Sequence, residues 1–252
     1  MADSVWTPAA GTLTPAATAS PPRHAFLVRV THWITVLCFL ALLLSGIEIL
    51  ISHPRFYWGE AGNVLSPPLF KIPIPASRSA VPTGYNFVLP DQNGWSRSLH
   101  FQSAWLAVLT GLLYFAGGTL QGHFRRNLIP RGADLSWGAI SAVVASHLSF
   151  RSTGETGAYN VLQRLTYLTV VFVLFPFVIW TGLAVSPGIA AAFPPAVTLL
   201  GGQQSARTLH FFTTIALVLF FGIHVAMVAL TGFRKRMAAM TTGGHSESNP
   251  PA

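Results

Sequence analysis

The chain has 252 residues, of which 51% are hydrophobic and only 9% are charged, and this composition is typical of a membrane protein. Its single cysteine, Cys38, excludes an internal disulfide and an iron–sulfur cluster ligated by this chain alone. The formal net charge of +8 does not indicate nucleic-acid binding, because membrane proteins carry an excess of cations on their cytoplasmic side.

Both ends of the chain are expected to be disordered tails. Residues 1–22 are rich in Ala, Thr and Pro, and they lack the cationic start and apolar core of a signal peptide. Residues 237–252 are expected to form the second tail. Insertion of the chain through its own helices is therefore the simplest interpretation.

Four long apolar segments predict membrane-spanning helices, at about residues 30–51, 99–121, 162–185 and 207–231. The fourth is the clearest, because no Asp, Glu, Lys or Arg occurs among the 22 residues from Leu209 to Leu230. In the third, Pro176 predicts a kink, which neighbouring helices in a bundle can tolerate. The predicted fold class is all-α, an integral membrane four-helix bundle within residues 23–236, with a long loop at residues 52–98.

The distribution of Lys and Arg predicts the orientation of this bundle. With both termini in the cytoplasm, ten cations near the spans fall on the inner side and five on the outer side. The loop 52–98 then faces the periplasm. It is interpreted either as a surface loop stiffened by proline or as a functional loop that faces a partner.

Four histidines form two pairs at matched depths. His210 and His224 on the fourth span are fourteen residues apart, within about 40° of the same helix face and roughly 21 Å apart along the axis. The inner pair combines His224 with His32, and the outer pair combines His210 with His100. A single histidine in a membrane helix is often a hydrogen-bonded interior residue. Two pairs favour metal or haem ligation, because facing imidazoles can bind a flat metal macrocycle from both sides.

Two glycines favour haem over a bare metal ion. Gly46 follows His32 by fourteen residues, at the level of the outer pair, and Gly111 follows His100 by eleven, near the level of the inner pair. Each glycine either admits a porphyrin edge or serves ordinary helix packing. The sequence contains no Cys-x-x-Cys-His motif, so any haem is expected to be haem b. Two histidine ligands leave the iron no open position, which predicts electron transfer and no catalytic residue.

The segments RVTHW and LHFQSAW, together with the His-x13-His pattern of the fourth span, resemble the bacterial di-haem cytochrome b subunits. These subunits anchor nickel–iron hydrogenases, formate dehydrogenases and thiosulfate-reductase-like molybdoenzymes to the membrane. The resemblance covers about residues 23–236. It implies that His32 and His224 bind a cytoplasm-side haem b, and that His100 and His210 bind a periplasm-side haem b.

The same resemblance implies a function. Such subunits transfer electrons between a periplasmic catalytic partner and the quinone pool of the bacterial inner membrane, with a quinone site near the inner haem. The sequence SHPRFYWGE…LPDQNGW in the loop 52–98 is similar to that of the subgroup whose partner is a molybdopterin-dependent oxidoreductase. Whether the chain has an enzymatic activity of its own at the quinone site stays open.

Three arginines each lie three residues before a proposed ligand, namely Arg29 on the inner side and Arg97 and Arg207 on the outer side. We interpret them as the residues that bind the haem propionates, because guanidinium groups pair well with carboxylates. Glu48 lies near the outer end of the first span, and its part in proton handling stays open.

Two other functions remain open from the sequence. The first is a self-standing membrane cytochrome b that oxidises a small molecule and reduces quinone. The second is a metal-ion transporter whose histidines bind zinc or copper, although Glu48 is the only intramembrane carboxylate that a cation path could use.

Overall fold

The computed structural model describes residues 25–63, 65–73, 94–122, 124, 161–230 and 232–243. The predicted N-terminal tail and the second half of the loop 52–98 lie almost entirely outside these ranges. The helices and strands are α1 (Phe26–Ser52), β1 (Arg55–Phe56), β2 (Phe70–Lys71), α2 (Trp95–Leu120), α3 (Val161–Thr169), a π-helical segment (Val170–Leu174), α4 (Phe175–Val185), α5 (Pro187–Ala192), α6 (Pro195–Thr198), α7 (Gln203–Leu230) and α8 (Phe233–Thr241).

Four helical stretches are long and apolar enough to cross a membrane: α1, α2, Leu165–Val185 and α7. This confirms the four predicted spans, although α1, α2 and α7 each begin four residues before the predicted start. The extra first turns of α2 (WSRS) and α7 (QQSA) are polar, so hydropathy alone places these two boundaries too late, whereas the extra turn of α1 (FLVR) is apolar up to Arg29. Helix α1 ends and α7 begins at the same end of the bundle, which we call the loop end. We call the opposite end the terminal end.

Polar side chains lie inside the bundle and large apolar side chains lie outside. Ser45 and Thr181 are fully buried, whereas Leu44 and Leu219 are exposed. The hydroxyls of these two residues donate to carbonyls of their own helices, Ser45 to Ala41 at 2.7 Å and Thr181 to Phe177 at 2.9 Å. This is the arrangement expected when the surroundings are lipid, because a polar group in hydrocarbon must be satisfied within the protein.

The helices pack as two close pairs, α1 with α2 and α4 with α7. Between these pairs the contacts are made by long side chains, for example Phe39 and Phe221, whose ring centroids are 4.9 Å apart. The proposed histidine ligands also face each other across this divide.

Pro176 has a local effect on the third span. The residues just before it, Val170–Leu174, form a π-helical segment. Proline has no N–H to donate to the carbonyl four residues earlier, and its ring crowds that carbonyl. A widened turn accommodates both effects, so the structure shows a π-helical segment at the site of the predicted kink.

The first part of the loop 52–98 is an ordered cap on the loop end. Its two strands pair in antiparallel fashion, which stacks Phe56 on Phe70 with ring centroids 4.6 Å apart. Phe56 also packs against Phe211 of α7 at 4.5 Å, and it is almost completely buried. The hairpin is therefore fixed to the helix that carries two of the four histidines.

Backbone hydrogen bonds complete this attachment at the start of α7. The Gly59 carbonyl accepts from the Gln204 N–H at 3.0 Å, and the Gly59 N–H donates to Ser205 Oγ at 2.7 Å. Thr208 Oγ1 donates to the Tyr57 carbonyl at 2.7 Å. The first N–H groups of a helix have no partner within that helix, and the loop supplies one here.

Replacing Gly202 with alanine is expected to destabilise this attachment. Gly202 has φ +109°, and an added Cβ would lie 2.5 Å from the Gly59 carbonyl carbon. Strain of this kind costs on the order of 1–3 kcal/mol, which lowers the melting temperature by roughly 2–10 °C in a chain of this size. Thermal denaturation in detergent, followed by circular dichroism, measures the effect.

Gly188→Ala is the matched control, because a Cβ at Gly188 would meet no atom within 4 Å in the part of the chain that the structure describes. Its free energy of unfolding is expected to change by no more than an ordinary surface substitution changes it, about ±0.5 kcal/mol. Its melting temperature should therefore stay close to that of the wild type. Equal melting temperatures for the two variants would contradict the close packing of Gly202 on Gly59.

The terminal end is closed by α8. Gly232, with φ +106°, turns the chain after α7 so that α8 packs beside the start of α1. Trp33 Nε1 donates to the Met240 carbonyl at 3.0 Å, and Arg29 Nη1 donates to the Thr241 carbonyl at 3.1 Å. The prediction of a disordered tail from residue 237 is therefore wrong for residues 237–241, because these two side chains of α1 satisfy the carbonyls at the end of α8.

Candidate functional site: two facing histidine pairs

The structure brings together both predicted histidine pairs. The ring centroids of His32 and His224 are 6.3 Å apart, with an interplanar angle of 64°. Those of His100 and His210 are also 6.3 Å apart, with an angle of 67°. The first pair lies toward the terminal end and the second toward the loop end, and α7 contributes one member to each.

The spacing within each pair matches the requirement of a shared metal. An imidazole nitrogen binds a transition metal at about 2 Å, and the ring centroid lies about 1.1 Å behind that nitrogen. Two imidazoles on opposite sides of one metal therefore have centroids about 6 Å apart. Imidazoles in direct hydrogen-bonded or stacked contact are usually closer, so this spacing fits a haem iron between the rings.

Hydrogen bonds determine which nitrogen of His210 is available to a metal. Its Nδ1 lies 3.1 Å from the Val178 carbonyl and 3.0 Å from Thr181 Oγ1. A carbonyl can only accept, so Nδ1 carries the proton and donates. The lone pair of the neutral ring is then on Nε2, which is the usual arrangement of a metal-binding histidine.

His100 is oriented in the same way by α1. Its Nδ1 lies 3.0 Å from Ser45 Oγ, and the single hydroxyl proton of Ser45 is already donated to the Ala41 carbonyl at 2.7 Å. Ser45 therefore accepts from Nδ1–H, which again leaves Nε2 as the nitrogen available to a metal. Both histidines at the loop end are held in the tautomer that metal ligation needs.

Three residues of this site were not identified from the sequence: Ser45, Thr181 and Gly182. Thr181 and Gly182 belong to the third span, which contains no histidine. A Cβ on Gly182 would lie 3.2 Å from His210 Cε1, so the glycine admits the ring. Ser45 could have been identified from its position, because it directly precedes Gly46, which the sequence already placed at the level of the outer histidine pair.

The two predicted glycines differ in their surroundings. A Cβ on Gly46 would lie 3.6 Å from His100 Cε1, so Gly46 is at the predicted level and borders the imidazole of that pair. A Cβ on Gly111 would meet no atom within 4 Å among the residues that the structure describes. Their role beside a porphyrin edge stays a prediction.

Aromatic rings surround the histidine pair at the terminal end. Phe220 stacks on His224 with centroids 5.7 Å apart and an interplanar angle of 26°. Trp33 meets His32 edge-on at 5.6 Å, and its indole N–H is held by α8. The helix α8 thereby helps to position a neighbour of His32, one of the four predicted ligands.

The three predicted arginines lie near the starts of α1, α2 and α7, and their binding of haem propionates stays a prediction. Arg207 donates through a guanidinium nitrogen to the carbonyl of His53, and its guanidinium lies 5.0 Å from the centroid of the Phe56 ring. Arg97 is exposed at the start of α2. Arg29 is bound to the end of α8, and Arg236 of α8 lies within electrostatic range of His224. Arg236 was not identified from the sequence, because its approach depends on how α8 folds back.

The arrangement of ligating residues does not resemble a site for a bare cation. Within the described ranges, no group of three or more His, Cys, Asp or Glu side chains comes together. A structural zinc site usually takes four such ligands, and a catalytic one takes three and a water. Pairs of facing imidazoles are instead sufficient for a haem, whose porphyrin supplies the other four nitrogens.

The family model for prokaryotic cytochrome b561 matches residues 23–243. The chain belongs to the prokaryotic cytochrome b561 family. A similar protein is the putative protein-methionine-sulfoxide reductase subunit YedZ1 of Azospira oryzae, which is 32% identical over 213 residues, covering 82% of this chain and 90% of that protein. No solved structure matches the chain at a significant level.

Membership of this family confirms the resemblance found in the sequence. The chain is a multi-pass membrane protein of the bacterial inner membrane, and it is a cytochrome b561-type haem subunit that binds haem b. The four described spans agree with the helical bundle expected for such a protein.

Removing the hydroxyl of Thr181 is expected to weaken haem binding at the loop end. In Thr181→Val, Nδ1 of His210 keeps the Val178 carbonyl but loses Thr181 Oγ1. Loss of a group that orients a ligand typically reduces metal affinity by about 10–100-fold, and we expect the lower part of that range. Haem retention during transfer to apomyoglobin measures it.

Thr213→Val is the matched control. Thr213 is also buried, on α7, and its hydroxyl donates to the Leu209 carbonyl of its own helix at 2.8 Å. We expect haem retention in this variant to equal that of the wild type. If both variants lose haem equally, the effect comes from helix packing and not from the orientation of His210.

Proposed function

We propose that the chain is a di-haem cytochrome b that transfers electrons between the membrane quinone pool and a periplasmic reductase partner. The observation that carries the proposal is the repeated geometry of the two histidine pairs, each with ring centroids 6.3 Å apart. Both pairs share α7, on which their histidines are fourteen residues apart, or roughly 21 Å along the helix axis. Two such sites form a path across most of an apolar membrane core about 30 Å thick.

Each proposed site is assigned to named residues. His32 and His224 hold one haem b near the terminal end, and His100 and His210 hold the other near the loop end. A haem b with two histidine ligands accepts and releases single electrons and offers no open position for a substrate. Ser45, Thr181 and the Val178 carbonyl keep the two histidines at the loop end in the ligating tautomer.

The outward side of the bundle is proposed from the cation distribution. Both termini lie in the cytoplasm, so the loop end and its ordered β1–β2 hairpin face the periplasm. The partner binds there, close to the His100–His210 pair. Quinone exchanges electrons at the terminal end, close to the His32–His224 pair.

The identity of the partner is proposed from the relative and from the sequence resemblance. The relative YedZ1 is named as a subunit of a protein-methionine-sulfoxide reductase, and the loop sequence is similar to the subgroup that serves molybdopterin-dependent enzymes. We infer that this chain supplies electrons to a molybdopterin-dependent reductase that acts on methionine sulfoxide. Reduction of a sulfoxide consumes electrons, so the direction of flow is from quinol, through the two haems, to the partner.

The experiment that tests the proposal is a reduced-minus-oxidised visible spectrum of the purified protein, with haem quantified per chain. Two b-type haems per chain support the four-ligand assignment. One haem contradicts one of the two pairs, and none, in protein expressed with ample haem, contradicts the cytochrome function. Reduction of the haems by a quinol analogue, followed by reoxidation with the purified partner and methionine sulfoxide, tests the direction.

A further inference from the structure

His53 lies at a junction of three elements at the loop end. It directly follows α1, and its N–H donates to the carbonyls of Ile49 and Leu50, at 3.1 Å in each case. Its own carbonyl accepts from the Arg207 guanidinium of α7. The next residue, Pro54, is fully buried, and the Pro54 carbonyl accepts from the Ile72 N–H at 2.9 Å. The backbone of His53 is thus held by α1, by α7 and by the β1–β2 hairpin.

Two guanidinium groups act on the His53 imidazole. Burial is the largest cause that lowers its pKa, and the positive charges of Arg207 and Arg97 lower it further, while the Ile49 carbonyl raises it. The other charged side chains nearest in the chain are Glu48 on α1 and Arg55 on β1. In this cluster of His53, Arg97 and Arg207, burial and the two positive charges favour the neutral imidazole over the protonated one.

The cluster is positioned toward the histidine pair at the loop end. Arg207 precedes His210 by three residues on α7, and Arg97 precedes His100 by three residues on α2. Each arginine is therefore about one helical turn, or roughly 4.5 Å, outward of its histidine. Two guanidiniums and one imidazole at this level form a site suited to a pair of carboxylates, since charge-assisted hydrogen bonds to carboxylates are strong.

Haem b carries two carboxylates on one edge of its porphyrin, as its propionate groups. We propose that His53 binds these propionates together with Arg97 and Arg207, and that it takes up a proton when the haem at the loop end is reduced. This inference rests on the proposed function, because it requires a haem between His100 and His210. It assigns a binding role to a histidine outside the two ligand pairs.

The proton balance follows from the charges. The negative charges of bound propionates offset the positive charges of the two guanidiniums. The His53 imidazole is therefore easier to protonate when the propionates are bound. For each electron delivered to this site by a reductant, one proton from solvent binds the unprotonated nitrogen of His53, and the net charge of the site is unchanged. The midpoint potential of this haem then falls as pH rises, by up to about 59 mV per pH unit, the equivalent of a tenfold change in equilibrium constant for one electron.

Optical redox titration of the purified holoprotein between pH 5.5 and 8.5 tests the inference. In the wild type, one of the two b-type components is expected to show a pH-dependent potential. In His53→Gln, which keeps a hydrogen-bonding side chain but cannot titrate, that component is expected to lose its pH dependence while both haems remain bound. Arg207→Gln should shift the potential of the same component and thereby identify it as the one at the loop end.

Lys71→Gln is the matched control, because it removes a positive charge from an exposed position on β2 in the same loop. We expect it to leave both pH profiles unchanged. If His53→Gln keeps two haems and the wild-type slope in both components, the inference is wrong and the proposed function stands. If the wild type binds no haem, both are wrong.

A second experiment tests whether the cluster binds the haem propionates or a free carboxylate anion. Succinate is added to the wild-type protein at constant ionic strength, and the potentials are measured again. Propionates bound within the same site leave the potentials independent of succinate. A potential that changes with succinate concentration shows that the cluster takes a soluble carboxylate, which overturns the inference.

Discussion

Replacing His210 with leucine is expected to reduce the haem content from the proposed two per chain to about one, because an imidazole is lost from the pair proposed to hold the haem at the loop end. Val178 and Thr181 then have no ring to orient. The haem proposed between His32 and His224 should remain, since His224 lies about four turns away from His210 along α7 and His32 is on α1. Pyridine haemochrome quantification against protein concentration measures the change.

Double variants test which histidines act together. His100→Leu combined with His210→Leu should lose no more haem than either single variant, because both remove the same site. Combining His100→Leu with His224→Leu should remove both haems, because it disrupts both pairs. The opposite pattern, with the first combination haem-free, would contradict the pairing that the structure shows.

Replacing His224 with leucine is expected to abolish reduction of the cytochrome by quinol while leaving one haem bound. The haem proposed between His100 and His210 would then remain, on the far side of the apolar core from the proposed quinone site. We expect the rate of quinol-driven reduction to fall by more than about 100-fold, beyond the 10–100-fold typical for residues that only orient a ligand. Stopped-flow absorbance with a reduced quinone analogue measures this rate.

Two comparisons control this experiment. Dithionite should still reduce the haem that remains in His224→Leu, which shows that its site is intact. His32→Leu should reproduce the kinetic defect, because His32 belongs to the same pair. Quinol-driven reduction at the wild-type rate in either variant would place the quinone site at the loop end and contradict the proposed orientation.

The fold was largely predictable because membrane spans are defined by local properties. Length and hydropathy located four helices, and the errors, such as the start of α7 at Gln203 and not at 207, concern the first turns at the boundary. The pairing of the histidines was predictable for a similar reason. In a regular helix, the spacing between His210 and His224 gives their separation in depth and shows that they share a face. The order of the spans then assigns His100 and His32 to the same two depths.

Other parts of the site could not be predicted in this way. Thr181 belongs to a span without histidines, and it contacts His210 only because α4 packs on α7. Helix α8 is short and polar, and the carbonyls at its end are satisfied by Trp33 and Arg29, which are more than 200 residues earlier in the chain. No pattern of neighbouring residues in the sequence predicts such a contact.

The sequence by itself determined the four spans, the two levels of histidine and the family resemblance, because each depends on spacing along one helix or on the composition of one segment. Tertiary structure alone decided which nitrogen of each loop-end histidine is available to a metal, where the loop hairpin is attached, and how Arg207 meets the His53 carbonyl. These features arise from hydrogen bonds and charges between segments distant in sequence, and such contacts exist only once the helices have packed.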